Sequence, residues 1–175
     1  MKLIFLGVTL LVMFATSFAQ TFKFPEGFRG HLWGQSQNEL GPSVVEVYSD
    51  RKKTAFSIPD DKLKIGDAQL DSISYSFYED QLYGVLILFK GNSNHRALLQ
   101  ALTENFGEPR RPNRYMEKYI WANLDDIQKT GASSMIRLEF SAITKAGTAS
   151  FTYGPIMKVI LDEEKKGAKN AKDDL

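Results

Sequence analysis

Residues 62–90, KLKIGDAQLDSISYSFYEDQLYGVLILFK, decide the fold. Two runs of strand character, 71–78 and 82–89, flank the polar break Glu79-Asp80-Gln81. In the first run Ile73, Tyr75 and Phe77 alternate with Ser72, Ser74 and Ser76. That period of two belongs to a strand with one buried face. The second run is apolar on both faces, with Tyr83, Val85, Ile87 and Phe89 opposed to Leu82, Leu86 and Leu88. Such a run marks a strand at the centre of a sheet. The two together predict an antiparallel hairpin in the middle of the fold. They specify architecture and carry no chemistry.

Upstream of the hairpin, Phe22, Phe24, Phe28 and Trp33 are spaced to anchor an irregular segment. Ser36 and Glu39 form a capping box, so a short helix is expected from Gln37, stopped by Gly41-Pro42. Strands are expected at 43–48 and 54–58, and 63–65 leads into the turn Gly66-Asp67. Downstream, Leu98, Leu102 and Phe106 repeat at i, i+4, i+8 and predict a helix over 94–106, with Gly107 at its C-terminal cap. Further strands are expected at 115–121, 135–141 and 148–153, separated by a polar, mobile loop at 123–134. Ile156, Val159 and Ile160 predict a last amphipathic helix over 156–166, and 167–175 reads as a disordered polar tail. Strands joined by tight turns cannot form a parallel sheet, which needs long crossovers. The expected fold is therefore α+β: one two-layer domain, with a mostly antiparallel curved sheet and the helix at 94–106 packed on one face. A short N-terminal helix and a C-terminal helix complete it.

Residues 1–19 read as a secretory signal peptide, with Lys2 before the apolar run 3–14 and Ser17-Phe18-Ala19 at the cleavage site. The apolar run is short against the roughly 20 residues that a membrane-spanning helix needs. Cleavage after Ala19 leaves a single domain over 20–166 and no further segment able to span a membrane. An exported protein is expected, periplasmic or secreted. The chain has no Cys, which excludes lipoprotein acylation, disulfides, thiol catalysis and zinc–thiolate sites. Of 22 Lys and Arg against 21 Asp and Glu, Lys2 leaves with the signal, so the mature chain is formally neutral. Neutrality argues against nucleic acid as a partner, because phosphate binding runs on excess cations.

Three stretches carry a resemblance. Phe28-Arg29-Gly30-x-x-Trp33-Gly34, Asp61-Lys62-Leu63-x-Ile65-Gly66-x-Ala68-x-Leu70 and Pro112-Asn113-Arg114-Tyr115-x-Glu117-Lys118-Tyr119-x-Trp121 are similar to motifs of small exported uncharacterised bacterial proteins. The likeness covers residues 24–153, although 41–48 is more compressed than in that group. It implies a shared fold and an exported location. It brings no activity.

Motifs with chemistry are scarce. Gly91-Asn92-Ser93-Asn94-His95 approaches a nucleophile elbow, but His95 stands where the tight turn needs a small residue. The competing reading makes Ser93 or Asn94 the N-cap of the following helix. His31 and His95 are isolated, and Asn123 onward lacks the calcium-loop pattern at Ile127 and Gln128, so no metal site and no cofactor are expected. Glu79 and Asp80 read as turn formers, Glu117 and Glu139 as solvent-facing strand positions. Aromatic and arginine side chains, the usual anchors of interfaces, form two clusters. One holds Phe28, Arg29, His31 and Trp33; the other holds Arg114, Tyr115, Tyr119 and Trp121. The plainer reading of both is core aromatics with a solvated arginine rim. The expected function is an exported, non-enzymatic module that binds an envelope protein or small ligand. Its expected binding residues are Phe28, Arg29, Trp33, Arg114, Tyr119 and Trp121, and none is catalytic. The alternative is a periplasmic hydrolase using carboxylates or Ser93 with His95. Leu86 and Leu88 face the same side as the three serines and call for a cover.

Overall fold

The computed structural model describes residues 22–123 and 132–173, so the expected signal segment and residues 124–131 of the expected loop lie outside the described residues. The chain runs β1 (Gly27–Phe28), β2 (His31–Leu32), a 3-10 helix (Gln37–Leu40), β3 (Val45–Asp50), β4 (Lys53–Ser57), β5 (Lys64–Ile65) and β6 (Ala68–Gln69). It continues through β7 (Ser72–Tyr78), β8 (Gln81–Lys90), α1 (Asn92–Phe106), β9 (Glu117–Ala122), β10 (Met135–Phe140), β11 (Ala146–Thr152) and α2 (Gly154–Asp173). Seven strands form one antiparallel sheet in the order β3-β4-β7-β8-β11-β10-β9, with the β7–β8 hairpin at its centre. The hairpin turns on Glu79 and Asp80 at φ 46° and 62°, the left-handed pair that matches strand twist.

Helix α1 covers one face of this sheet. Of its buried stripe, Leu98 and Leu102 pack with Ile73, Tyr75, Phe77, Val85, Ile87, Ile136, Leu138 and Phe151 in the main core, and His95 stacks on Phe140. The small hairpins β1–β2 and β5–β6 lie around it, and Asn94 ties β6 to the helix by accepting from Gln69 N at 2.9 Å. The capping box forms: Ser36 N donates to Glu39 Oε1 at 3.0 Å, and Ser36 Oγ accepts from Asn38 N.

Four details depart from expectation. Helix α1 begins two residues early, because Gly91 (φ 91°) serves as a cap that needs no side chain; neither Ser93 nor Asn94 is the N-cap. Leu82 shares the core face with Val85 and Ile87, because a bulge at Tyr83 pairs Phe77 with Leu82 and Ser76 with Gly84, reversing the parity. Strand β9 begins at Glu117, so Tyr115 lies outside it, 80 % exposed. Helix α2 runs on through Gly167 to Asp173, into the stretch expected to be a tail.

Helix α2 docks on the opposite, outer face. Ile156 and Ile160 form a second small core with Tyr78, joined by Tyr83, Tyr153 and Met157. Glycine is required where α2 starts. A Cβ on Gly154 would lie 2.5 Å from Ser134 N, and Gly154 N donates to Ser134 Oγ at 2.9 Å.

Candidate functional site

The first expected cluster is a set of structural ties. Phe28 is buried against Tyr75 and Phe151. Arg29, with φ 53°, gives one guanidinium nitrogen to Asp61 and another to Lys64 O at 2.8 Å. Tyr75 OH donates to the second Asp61 oxygen at 2.6 Å. Burial, and then the Asp61 bond, pushes the Tyr75 hydroxyl far up, so it stays protonated. Arg29 thereby holds β1 to the segment before β5. Trp33 lies between Phe24 and Tyr153, and its ring N–H donates to Pro25 O at 2.7 Å.

The second cluster divides. Trp121 is 2 % exposed and donates to Gly107 O at 2.7 Å, so it locks β9 to the end of α1. Tyr119 is half-buried beside His95 and donates to Glu117, which also takes Arg111 at 2.7 Å. Burial, then Glu117, raises the Tyr119 hydroxyl above its ordinary range. Arg114 is exposed and folds over the Tyr115 ring. Of the six expected binding residues, then, Phe28 and Trp121 are core, and Arg29, Trp33 and Tyr119 bond within the fold. Arg114 is exposed and donates to Tyr115 OH at 2.5 Å.

Ser93 and His95 do not form a dyad. Ser93 is exposed on the first turn of α1, whereas His95 is 7 % exposed and stacked on Phe140 at 4.6 Å. Residues two apart on a helix point in different directions. Burial lowers the His95 pKa, and its Nε2 is buried with no hydrogen bond to a described residue. Among the described residues, no group of three or more His, Asp or Glu is placed to hold a metal ion.

What remains is the outer face of the sheet beside α2. Strand register sets its residues in rows that cross five strands. One row reads Ser74, Leu86, Ser150, Arg137, Ile120; the next reads Ser72, Leu88, Thr148, Glu139, Lys118. Leu86 and Leu88 are 39 % and 40 % exposed at the centre of the sheet. Helix α2 reaches Tyr78 and Tyr83 and leaves these leucines open. A groove of about 1020 Å³ continues from Leu88 over Thr148 and Phe140 to the exposed Tyr115, Met116 and Ile143. Glu139 lies 2.8 Å from Lys118 and 3.9 Å from Arg137 Nε, and that Nε is buried with no hydrogen bond to a described residue. The leucines were legible as an unmatched pair in the sequence. Arg137 was not, because its neighbours come from other strands.

No family model matches the chain, and the searches of curated proteins and solved structures found no similar protein.

Proposed function

We propose that the chain is an exported, non-enzymatic binding module whose partner lies across the outer face of the sheet. The observation that carries this is Leu86 and Leu88, both exposed on the central strand β8, with Leu88 lining a groove. Contiguous apolar surface rimmed by polar residues is what interaction sites present. Export rests on the signal-like residues 1–19. The three motifs that resemble those of small exported bacterial proteins are compatible with this reading, and Arg29 of the first binds Asp61 of the second. No helix among the described residues is long and apolar enough to cross a membrane.

Photo-crosslinking in exporting cells tests the reading. A photoreactive residue at Leu88 should give a discrete adduct whose protein portion begins at Gln20, and Leu86→Asp should abolish it. The same residue at Val159, exposed on α2, should not give that adduct. Identical adducts from both positions, or none at Leu88, would overturn it.

A further inference from the structure

We propose that one corner of the sheet docks on an anionic phospholipid surface through two neighbouring turns, 110–116 and 141–146. Phe140 pairs with Glu117, so the turn that enters β9 and the turn that leaves β10 emerge from the sheet side by side. Ile143 crowns the second turn at 93 % exposure, and Tyr115 and Met116, 80 % and 53 % exposed, crown the first. All three border one end of the same groove, which places them together.

Tight turns ordinarily carry Gly, Pro, Asn or Asp at the tip. Here hydrogen-bonded turns hold apolar side chains outward instead. Met116 N donates to Asn113 O at 3.2 Å, and Tyr115 N to Asn113 Oδ1 at 2.9 Å. Lys145 N donates to Ser141 O, and Ser141 N to Ala146 O, both at 2.9 Å. Neither tip can fold back over its apolar residues without breaking these bonds.

Charge names the partner. Residues 110–116 hold three Arg and 141–146 one Lys, with no carboxylate in either turn. The carboxylates bordering the groove belong to the strand ends behind the tips, and each already faces a cation. Asp71 lies 3.5 Å from Lys90, Glu117 2.7 Å from Arg111 and Glu139 2.8 Å from Lys118. Arg110, Arg114 and Lys145 have no ion pair with a described residue, so the unmatched charge at the tips is positive. Two copies would repel through such a corner, and a protein partner would need a pocket shaped to each tip. Hydrocarbon accepts apolar tips of any shape. Ile143 and Met116 would enter it, and Tyr115 would sit at the headgroup level where aromatic rings concentrate. The arginine and lysine heads would reach the phosphates on their long stems. Lasting attachment to a membrane takes two signals, such as an apolar anchor and adjacent cations.

The test takes the chain beginning at Gln20 and vesicles of phosphatidylglycerol and phosphatidylcholine in equal parts, against vesicles of phosphatidylcholine alone. The chain should sediment with the mixed vesicles only, and added salt should release it. Because the chain has no Cys, one Cys carrying an environment-sensitive fluorophore can be placed at Ala142 or, as a control, at Glu104 near the far end of α1. The dye at Ala142 should brighten and shift to the blue on binding, and the dye at Glu104 should not. Ile143→Asp should weaken binding roughly tenfold or more, the loss that follows from leaving one aliphatic side chain in water. Arg114→Gln should weaken it about fivefold, the effect of one basic residue near an anionic surface. Ile143 is exposed, so its variant should keep the urea midpoint of the parent, which separates lost binding from lost fold. Absence from the mixed vesicles, equal binding to both kinds, indifference to Ile143→Asp, or a shift of the Glu104 dye would overturn the proposal. Ile143-dependent binding of polyglutamate with none to vesicles would also overturn it, in favour of an acidic protein. The crosslink at Leu88 reads a different surface, so its failure leaves this corner standing, and failure with vesicles leaves the binding module standing.

Discussion

The ring of His95 carries a proton-binding nitrogen into the core, against Phe140 and beside Phe89. Burial lowers its pKa; the Glu117 carboxylate pulls the other way, and Arg111 and Arg96 add to the lowering. An unfolded histidine titrates near ~6.5. As pH falls below that value the unfolded chain takes up a proton that the folded chain refuses, so stability drops until the lower folded pKa is reached. The expected outcome is a fall in the urea midpoint between pH 7.5 and pH 5.5 that His95→Phe largely removes. Asp162 and Glu163, held below the usual carboxylate range by Lys158 and Lys52, contribute stability lost only below about pH 4.5, outside this window. An equal fall in both proteins would show that His95 is not the group that titrates. His95 was readable as part of the helix stripe, three residues before Leu98. Its proximity to Ser93 in sequence suggested chemistry that helix geometry forbids. The arginine–aromatic clusters are ambiguous in sequence for a related reason: a side chain that ties two segments together has the same composition as one that meets a partner. Trp121→Ala is accordingly a fold mutation, since truncating a buried Trp costs about 3–5 kcal/mol.

Among the elements, the two edge strands of the sheet are treated differently. Strand β9 is shielded by Arg110, whose backbone exchanges two hydrogen bonds with Ile120 at 2.8 and 2.9 Å. Among the described residues strand β3 has no such cover, and all six of its residues are exposed, Val45, Val47 and Tyr48 among them. Proteins usually protect such edges with charges, Pro or a bulge; here Glu46, Asp50 and the register shift at Val47 serve. Val47→Lys should therefore reduce aggregation on heating, read as light scattering, while the chemical-denaturation midpoint corresponds to a change within about 0.5 kcal/mol. Unchanged scattering would place the aggregating segment elsewhere. The elements themselves were largely legible. Alternation located β7, β10 and β11, and the Leu98–Leu102–Phe106 spacing with Gly107 located α1. Boundaries were not, because they turn on backbone events without a periodic signature: the positive φ of Gly91 starts α1, and one extra residue at Tyr83 turns Leu82 inward.

At the scale of the whole molecule, one sheet carries two cores of unequal size: among the described residues, nineteen are buried on the α1 face against three on the α2 face. Sequence periodicity foretold both helices but could not say that they lie on opposite faces, since that depends on where β11 delivers the chain. Cooperativity follows the packing. The α1 face joins α1 and strands β4, β6, β7, β8, β9, β10 and β11 in one contiguous cluster, whereas α2 is held by Ile156, Ile160 and exposed ion pairs such as Lys52–Glu163 and Lys53–Glu164. Exposed pairs add little to stability. Helix α2 should then open as a separate unit before the sheet unfolds, which is the behaviour expected of regions with few buried apolar contacts. In native-state hydrogen exchange, the amides of 156–168 should exchange through an opening weaker than that of 85–89. Ile160→Ala removes a buried side chain worth about 2–5 kcal/mol and should speed exchange in α2 alone, leaving 85–89 as protected as before. Equal acceleration in both segments would mean that α2 belongs to the global unit. Selective acceleration would mean that the strip beside Leu86 and Leu88 can widen toward Tyr78 and Tyr83 without loss of the fold, since α2 can leave while the opposite core stays closed.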